Sequence, residues 1–315
     1  MAKIGIPMTL SYYEYYPFWR SWLEDLGLEV ITSPPTTREI LDWGVQQTVN
    51  DACVPIKLIH GHVVYLKDKV DWIFIPRMVQ VAAKETFCPK FLGLPDLLRA
   101  SIKNLPPLLS PRVALPYGRL SLYTLCGRTA KELGYSYWAG YQAGRKALAE
   151  WRLYQDKIHS GLLPREALGL RPRWKVQGKP IRLALLGYPY LVNDDYISGN
   201  ILPLLEKLNV QVFTADMAPH PQRLAERMPK TLFWHYSNQV LWACMYFLER
   251  NLVDGVIHLT AFSCGPDAMV SKLLELETKG KIPFTTLTLD EHTGQAGIVT
   301  RVEAFLDMLT RKRAG

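Results

Sequence analysis

The stretch Gly255-Val256-Ile257-His258-Leu259-Thr260-Ala261-Phe262-Ser263-Cys264-Gly265-Pro266-Asp267 decides how this chain is read. Gly255 to Leu259 has the pattern of a strand and Pro266 to Thr278 that of a helix. Cys264 therefore stands where the chain leaves the carboxyl end of a strand and enters a helix. Working outward, the alternation continues. On the N-terminal side come a strand at Ile181 to Leu186, a helix from about Tyr196 to Leu208, a strand at Val210 to Thr214 and a helix at Ser237 to Asn251. On the other side lie a strand at Pro283 to Leu289 and a helix at Gly294 to Thr310. Such regular alternation specifies a doubly wound α/β domain.

The first half repeats the theme. Ile4-Gly5-Ile6 is a short strand leading to a helix from about Tyr12 to Leu26, in which Tyr12, Tyr15, Trp19, Trp22 and Leu26 recur at helical spacing. Tyr13, Tyr16 and Phe18 cover much of the remaining face, so this helix is expected to be buried on more than one side, in the core or at an interdomain surface. Leu28 to Thr32 is a second strand. Val70 to Pro76 is apolar enough for an interior parallel strand, Val113 to Leu115 is a weaker one, and about Ser121 to Ser160 is helical. Gly161 to Pro180, rich in proline, glycine and arginine, separates the halves. The expected fold is α/β, with two Rossmann-like doubly wound domains, residues 1–165 and 178–315, a helical connecting region and an interdomain cleft.

Composition sets bounds on function. A chain of 315 residues with 48% hydrophobic content can bury a sizeable core and usually forms two domains. No apolar run is long enough to span a bilayer, so no membrane partner is expected. The 37 basic and 29 acidic residues leave a charge of +8, concentrated in Arg165 to Arg182 and Arg311 to Arg313. No nucleic-acid motif accompanies that charge, so solvated surface is expected rather than a nucleic-acid partner. With an odd count of cysteines and no secretory signal, a disulfide framework is not expected, and the thiols belong in a reducing cytoplasm.

Three of the five cysteines share one context: Cys53-Val54-Pro55, Cys88-Pro89 and Cys264-Gly265-Pro266. Proline is tolerated in the first turn of a helix, because the N–H it lacks would be unpaired there. Each of these cysteines is thus placed at a helix N-terminus, where the helix dipole and open N–H groups favour thiolate and can donate to cluster sulfur. Cys88 leaves the carboxyl end of the Val70 to Pro76 strand, where open α/β sheets hold ligands. The competing reading is that all five are ordinary buried thiols, and the spacings fit no short zinc pattern. Cys126 falls inside a helix without an adjacent proline and stands in reserve as a fourth ligand; Cys244 has no ligand setting.

Other candidates surround these positions. Lys57, His60 and His62 follow Cys53, and Arg77 follows a strand end; they suit neutralising an anionic cluster or binding a carboxylate or phosphate. Equally, His60 and His62 suit hydrogen bonds to backbone near Gly61. Asp290-Glu291-His292 has the look of an acid–base set, but Asp290 also suits a helix cap and His292 a hydrogen-bond donor behind a ligand. Tyr188 and Tyr190 occupy the turn where a dinucleotide enzyme carries its glycine fingerprint, so neither NAD nor flavin is expected.

Several segments together resemble the acyl-CoA dehydratase activase-related family. They include Tyr12-Tyr13-Glu14-Tyr15-Tyr16-Pro17-Phe18-Trp19, Cys53-Val54-Pro55-Ile56-Lys57, Cys88-Pro89-Lys90-Phe91, Gly187-Tyr188-Pro189-Tyr190, Phe262-Ser263-Cys264-Gly265-Pro266-Asp267 and Asp290-Glu291-His292-Thr293-Gly294. The resemblance covers nearly the whole chain and extends to iron–sulfur subunits of 2-hydroxyacyl-CoA dehydratases, benzoyl-CoA reductase components and double-cubane cluster proteins. It implies a 4Fe–4S cluster, alone or as part of a larger cluster in an assembly, ligated by Cys53, Cys88 and Cys264 with one iron open. Lys57, His60, Arg77, Tyr190 and His292 would line or support that site. The implied activity is low-potential electron transfer or reductive catalysis, as a homodimer or with a paired subunit. Electrons would come from a separate ATP-hydrolysing activase or another low-potential donor, since the chain has no phosphate loop of its own. The alternative function is a metal-free two-lobed protein that binds an acidic small molecule or a partner enzyme.

Overall fold

The structure is a computed structural model and describes residues 1–82, 85–115, 117–219 and 231–314. It is mixed α/β with parallel sheets, as the alternation of strands and helices predicts. Contacts divide the chain into two compact units: Met1–Asp156 with Phe233–His235, and Lys157–Leu232 with Tyr236–Gly315.

Unit one begins with β1 (Lys3–Ile6), α1 (Tyr12–Asp25), β2 (Glu29–Thr32), α2 (Arg38–Gln46), α3 (Val54–Leu66), β3 (Trp72–Phe74) and β4 (Arg77–Gln80). It continues with α4 (Pro89–Leu92), α5 (Leu94–Ser101), β5 (Leu108–Leu109), β6 (Arg112–Ala114), α6 (Arg119–Glu132) and most of α7 (Tyr137–His159). The main sheet has the order β2-β1-β3-β5, all parallel, and β4 pairs with β6, also parallel. The two ladders are one path divided by prolines. Ile75 N–H donates to Leu109 O and Arg77 N–H to Pro111 O, each at 2.9 Å, but Pro76 and Pro111 have no N–H to add to the ladder. Placing β1 between β2 and β3 creates a switch point at the carboxyl ends of the strands.

Helix α1 shows how its aromatic sequence is used. Pro17 lies inside it and leaves the carbonyl of Tyr13, four residues earlier, without its helical donor. The Tyr154 hydroxyl of α7 donates to that oxygen at 2.5 Å, and the Trp151 indole donates to Glu14 O at 2.9 Å. Tyr12, Tyr13, Phe18, Trp19 and Trp22 are all buried, as a helix covered on more than one side requires. Backbones also meet directly at two glycines: a Cβ on Gly44 of α2 would lie 1.9 Å from Lys57 O, and one on Gly61 of α3 would lie 1.8 Å from Ile40 O. Helix α2 itself was not legible in the strand–helix pattern, although Thr37 caps it by accepting from Ile40 N–H at 3.3 Å.

Unit two contains α8 (Pro164–Ala167), β7 (Arg182–Gly187), α9 (Pro189–Val192), α10 (Ile201–Lys207), β8 (Gln211–Thr214) and a 3-10 turn at Ala215–Met217. There follow most of α11 (His235–Glu249), β9 (Gly255–Ala261), α12 (Gly265–Thr278), β10 (Phe284–Leu289) and α13 (Gln295–Ala314). The parallel sheet order is β10-β9-β7-β8, again with the first strand between its successors. Helix α10 starts later than the pattern predicts, because Gly199 and Asn200 adopt left-handed conformations at φ +62° and +58°. The basic connector is tied down rather than merely solvated: Arg165 pairs with Asp195, and Arg171 with Glu206. Among the described residues no helix is long and apolar enough to cross a membrane.

Candidate functional site

Two of the three proline-linked cysteines come together in unit one. Cys53 is the N-cap of α3, with Pro55 in the first turn, and Cys88 is the N-cap of α4, directly followed by Pro89. Both have extended backbone, at φ −62° and −63°, so the helix N–H groups open toward the capping residue. Lys90, on α4 two residues after Cys88, places its ammonium 3.6 Å from Cys53 Sγ. One cation thus belongs to the settings of both sulfurs. Burial pushes the Cys88 thiol up, and the nearby Cys53 adds to the rise. The N–H groups of Phe91 and Lys90, with the Lys90 ammonium, act in the opposite direction without cancelling it. The bare Cys88 therefore favours the protonated thiol, while the groups around it are those that would stabilise sulfur as an anion.

The neighbours have definite partners. Lys57 is buried, and its ammonium donates to Asn50 O at 3.0 Å. His60 donates from Nδ1 to Ile56 O at 2.7 Å, and burial lowers its pKa. His62 is fully buried and its pKa is pushed down to about 3; the neutral ring bonds to the Ser33 and Thr36 hydroxyls at 2.8 and 3.0 Å. Gly61 between them serves the α2–α3 approach. Arg77 donates to Leu92 O at 2.6 Å and pairs with Asp96 at 2.8 Å, which binds β4 to the ends of α4 and α5.

Cys264 lies in unit two as the N-cap of α12, with Pro266 in the first turn. Its backbone N–H donates to Ala261 O at 3.1 Å, and Ser263 before it sits at φ +64°. A turn this sharp brings the chain directly from β9 into α12. Asp267, in the first turn of α12, is fully buried against His258 of β9, with Oδ1 3.2 Å from Nε2. Tyr190 is buried among Tyr188 and Tyr236, with ring centroids 5.7 and 5.6 Å away. Asp290 forms a local turn, accepting from His292 N–H and the Thr293 hydroxyl at 2.9 and 2.8 Å. It does not cap α13, which begins at Gln295, and the His292 side chain is 86% exposed.

The remaining cysteines are packed into helices. Cys126 of α6 is buried where α7 crosses it, so close that a Cβ on Gly144 would lie 2.8 Å from its sulfur. Burial drives its pKa far upward, and that of Cys244, on α11, up to about 12. Among the described residues no group of three or more His, Cys, Asp or Glu side chains is placed to hold a metal ion. Two features went unread in the sequence. Lys90 follows Cys88-Pro89 and was visible only as part of a motif, whereas the His258–Asp267 pair joins a strand to a helix without any local signal.

Comparison with known proteins adds the family. The family model described as "CoA enzyme activase uncharacterised domain (DUF2229)" matches residues 3–218. The model for the D-component of 2-hydroxyglutaryl-CoA dehydratase matches residues 175–309. These are the relationships that the sequence motifs indicated. No curated protein matches the chain. A crystal structure from Silicibacter pomeroyi DSS-3, assigned as a phosphosugar isomerase, aligns with 99% of this chain and 87% of its own at 12% identity and a TM-score of 0.22. A sugar transporter from Clostridium phytofermentans aligns with 98% of this chain and 93% of its own at 10% identity and a TM-score of 0.19. Scores this low carry no argument about fold or activity.

Proposed function

The chain belongs to the CoA enzyme activase uncharacterised domain family, and from that membership and its paired thiols we propose that it is a low-potential, oxygen-sensitive iron–sulfur protein. In this reading Cys53, Cys88 and Cys264 are the protein ligands of a 4Fe–4S cluster, one iron of which carries no protein thiolate. The observation that carries the reading is the setting of Cys53 and Cys88: two sulfurs at two helix N-termini with the Lys90 ammonium beside them. Thiolates are soft ligands suited to iron–sulfur clusters, and helix N–H groups together with a lysine suit the negative charge of the ligated sulfurs. Cys264 repeats the same local design.

When bound, such a cluster supplies single electrons and, at the open iron, a Lewis-acid position for a substrate oxygen. The chain's own residues do the rest. Cys53 and Cys88 give up their protons on loading, so binding is coupled to pH. Lys90 offsets the resulting charge, and the buried first turn of α3, Val54 to Lys57, keeps water from the Cys53 side. The activity supported is electron transfer or reductive catalysis on an acyl-CoA substrate, with electrons from a separate ATP-hydrolysing activase. The two family descriptions, which name a CoA enzyme activase and a dehydratase component, support that partnership.

The test is anaerobic reconstitution with iron and sulfide, followed by metal analysis and absorption spectra before and after dithionite. The expected result is a brown protein that bleaches on reduction, with most of its iron lost in Cys53→Ala and in Cys264→Ala. A colourless chain that binds no iron, or a Cys264→Ala variant indistinguishable from the unmodified protein, overturns the proposal.

A further inference from the structure

Four strands stand at the edges of the two main sheets, and β10 differs from the others. It runs six residues, against four in β2 and β8 and two in β5. Its register on β9 is continuous, from Phe284 opposite Val256 to Leu289 opposite Ala261, with no bulge. Val256 N–H donates to Pro283 O at 3.0 Å, and Phe262 N–H to Leu289 O at 2.8 Å. In a parallel ladder fixed at those two points, the N–H and C=O groups of Thr285, Leu287 and Leu289 point to β9, and those of Phe284, Thr286 and Thr288 point away from it. Among the described residues those outward backbone groups have no hydrogen-bond partner. Phe284 and Thr286 are half-buried and Thr288 is exposed, as an uncovered edge requires.

Edges of natural sheets are commonly guarded by a lysine, a proline or a bulge, and β10 has none of these. Residues 282–289 hold no charged side chain, and Pro283 stands before the strand. The outward positions are also symmetric about Thr286. A second β10, turned by a two-fold axis at Thr286, sets Thr286 against its own copy and Phe284 against Thr288, and each facing pair exchanges two hydrogen bonds. The Thr286 hydroxyl lies 3.1 Å from that of Ser271 on α12, so Phe284 and Thr288, two residues to either side, stand on the α12 face. Phe284 of each copy then meets Thr288 of the other, an aromatic ring against a β-branched side chain. The row of α12 that contains Ser271 also holds Ala268 and Glu275, and Glu275 pairs with Lys272 at 2.9 Å, so no block of like charge opposes this approach. That self-complementarity favours a second copy over an unrelated strand. We propose that β10 pairs antiparallel with β10 of a second copy of this chain, joining two four-stranded sheets into one. Because both copies use the same edge, the assembly closes at a dimer. The pairing is independent of the cluster and holds for the metal-free chain.

Sedimentation velocity of the full chain provides the test. A dimer is expected, with self-association about tenfold or more weaker in Thr286→Pro and in Thr288→Pro. Each substitution removes one outward N–H per copy and no bond to β9, so an unchanged circular dichroism spectrum is expected with it. Thr286→Cys gives a readout that leaves the ladder intact. Facing residues in such a pair have Cα atoms about 5.5 Å apart, within disulfide range. Mild oxidation is expected to yield a covalent dimer whose digest contains the peptide bearing Thr286→Cys joined to itself. A chain that sediments as a monomer at about 100 μM overturns the pairing, as for an edge satisfied by water or reserved for another protein's strand. A dimer that both proline variants leave equally tight overturns it too, as does a Thr286→Cys dimer in which that peptide is never joined to itself.

Discussion

His235 carries a pH dependence that can be worked out from its surroundings. In unit one the segment Phe233–His235 is bound by a parallel bridge between Thr86 and Trp234, with Thr86 N–H donating to Phe233 O and His235 N–H to Thr86 O at 3.1 and 2.9 Å. The buried imidazole bonds through Nδ1 to Glu85 at 2.8 Å, and Glu14 lies 3.8 Å from Nε2. Burial by itself lowers the pKa, but the Glu14 and Glu85 carboxylates outweigh it and hold the ring up at about 9, against 6.5 for a free histidine. Each pKa unit is worth about 1.4 kcal/mol, so the protonated ring stabilises the fold by about 3 kcal/mol. The sign follows from the raised value. The contribution is complete below the unfolded pKa, near 6.5, and is lost as pH rises through about 9. In His235→Gln the titration is removed. Urea unfolding at about pH 6, 7.5 and 9.5 is expected to show a stability gap between unmodified and variant protein that shrinks by about 3 kcal/mol across the range. A gap that stays constant with pH would show that the two carboxylates do not hold the proton on His235, as would an imidazole that titrates near 6.5 by NMR.

Three further outcomes follow from the packing and the thiol pair. Lys90→Met removes an ammonium that acts to lower the Cys88 thiol, and alkylation of the metal-free chain at Cys88 is expected to slow at neutral pH, read by mass spectrometry of the labelled peptide. Gly61→Ala drives a methyl into Ile40 O and is expected to cost about 3 kcal/mol or more in urea unfolding; an unchanged midpoint would show that α2 and α3 separate freely. Gly144→Ala presses on the Cys126 sulfur, and adding Cys126→Ala is expected to recover part of the stability lost while leaving the iron content of reconstituted protein unchanged.

Much of this structure was legible where the signal is local. The passage from β9 through Cys264 to α12 could be read because an apolar strand is followed within a few residues by Pro266, and helix α1 because its rings recur at helical spacing. The proline after each cysteine likewise marked the three helix starts. What escaped depends on distance along the chain. Lys90 and Cys53 are 37 residues apart, and Glu85 and His235 are 150 apart, so neither pairing has a periodicity to betray it. The two-residue strand β5, following Pro106-Pro107, is too short to show alternation and exists because β3 supplies a partner. Arg77 illustrates the opposite case, a conspicuous cation at a strand end whose guanidinium binds Leu92 O and Asp96.

The proposed cluster is ligated by three thiolates and leaves one iron open. Mössbauer spectroscopy of anaerobically reconstituted protein, carried out on isotopically enriched iron, tests it most directly. The expected spectrum shows about four irons per chain in two components near a 3:1 ratio, the minor one being the iron without a thiolate, and the whole pattern is lost in Cys53→Ala. A chain that takes up no iron, or one whose spectrum survives Cys53→Ala unchanged, would contradict it.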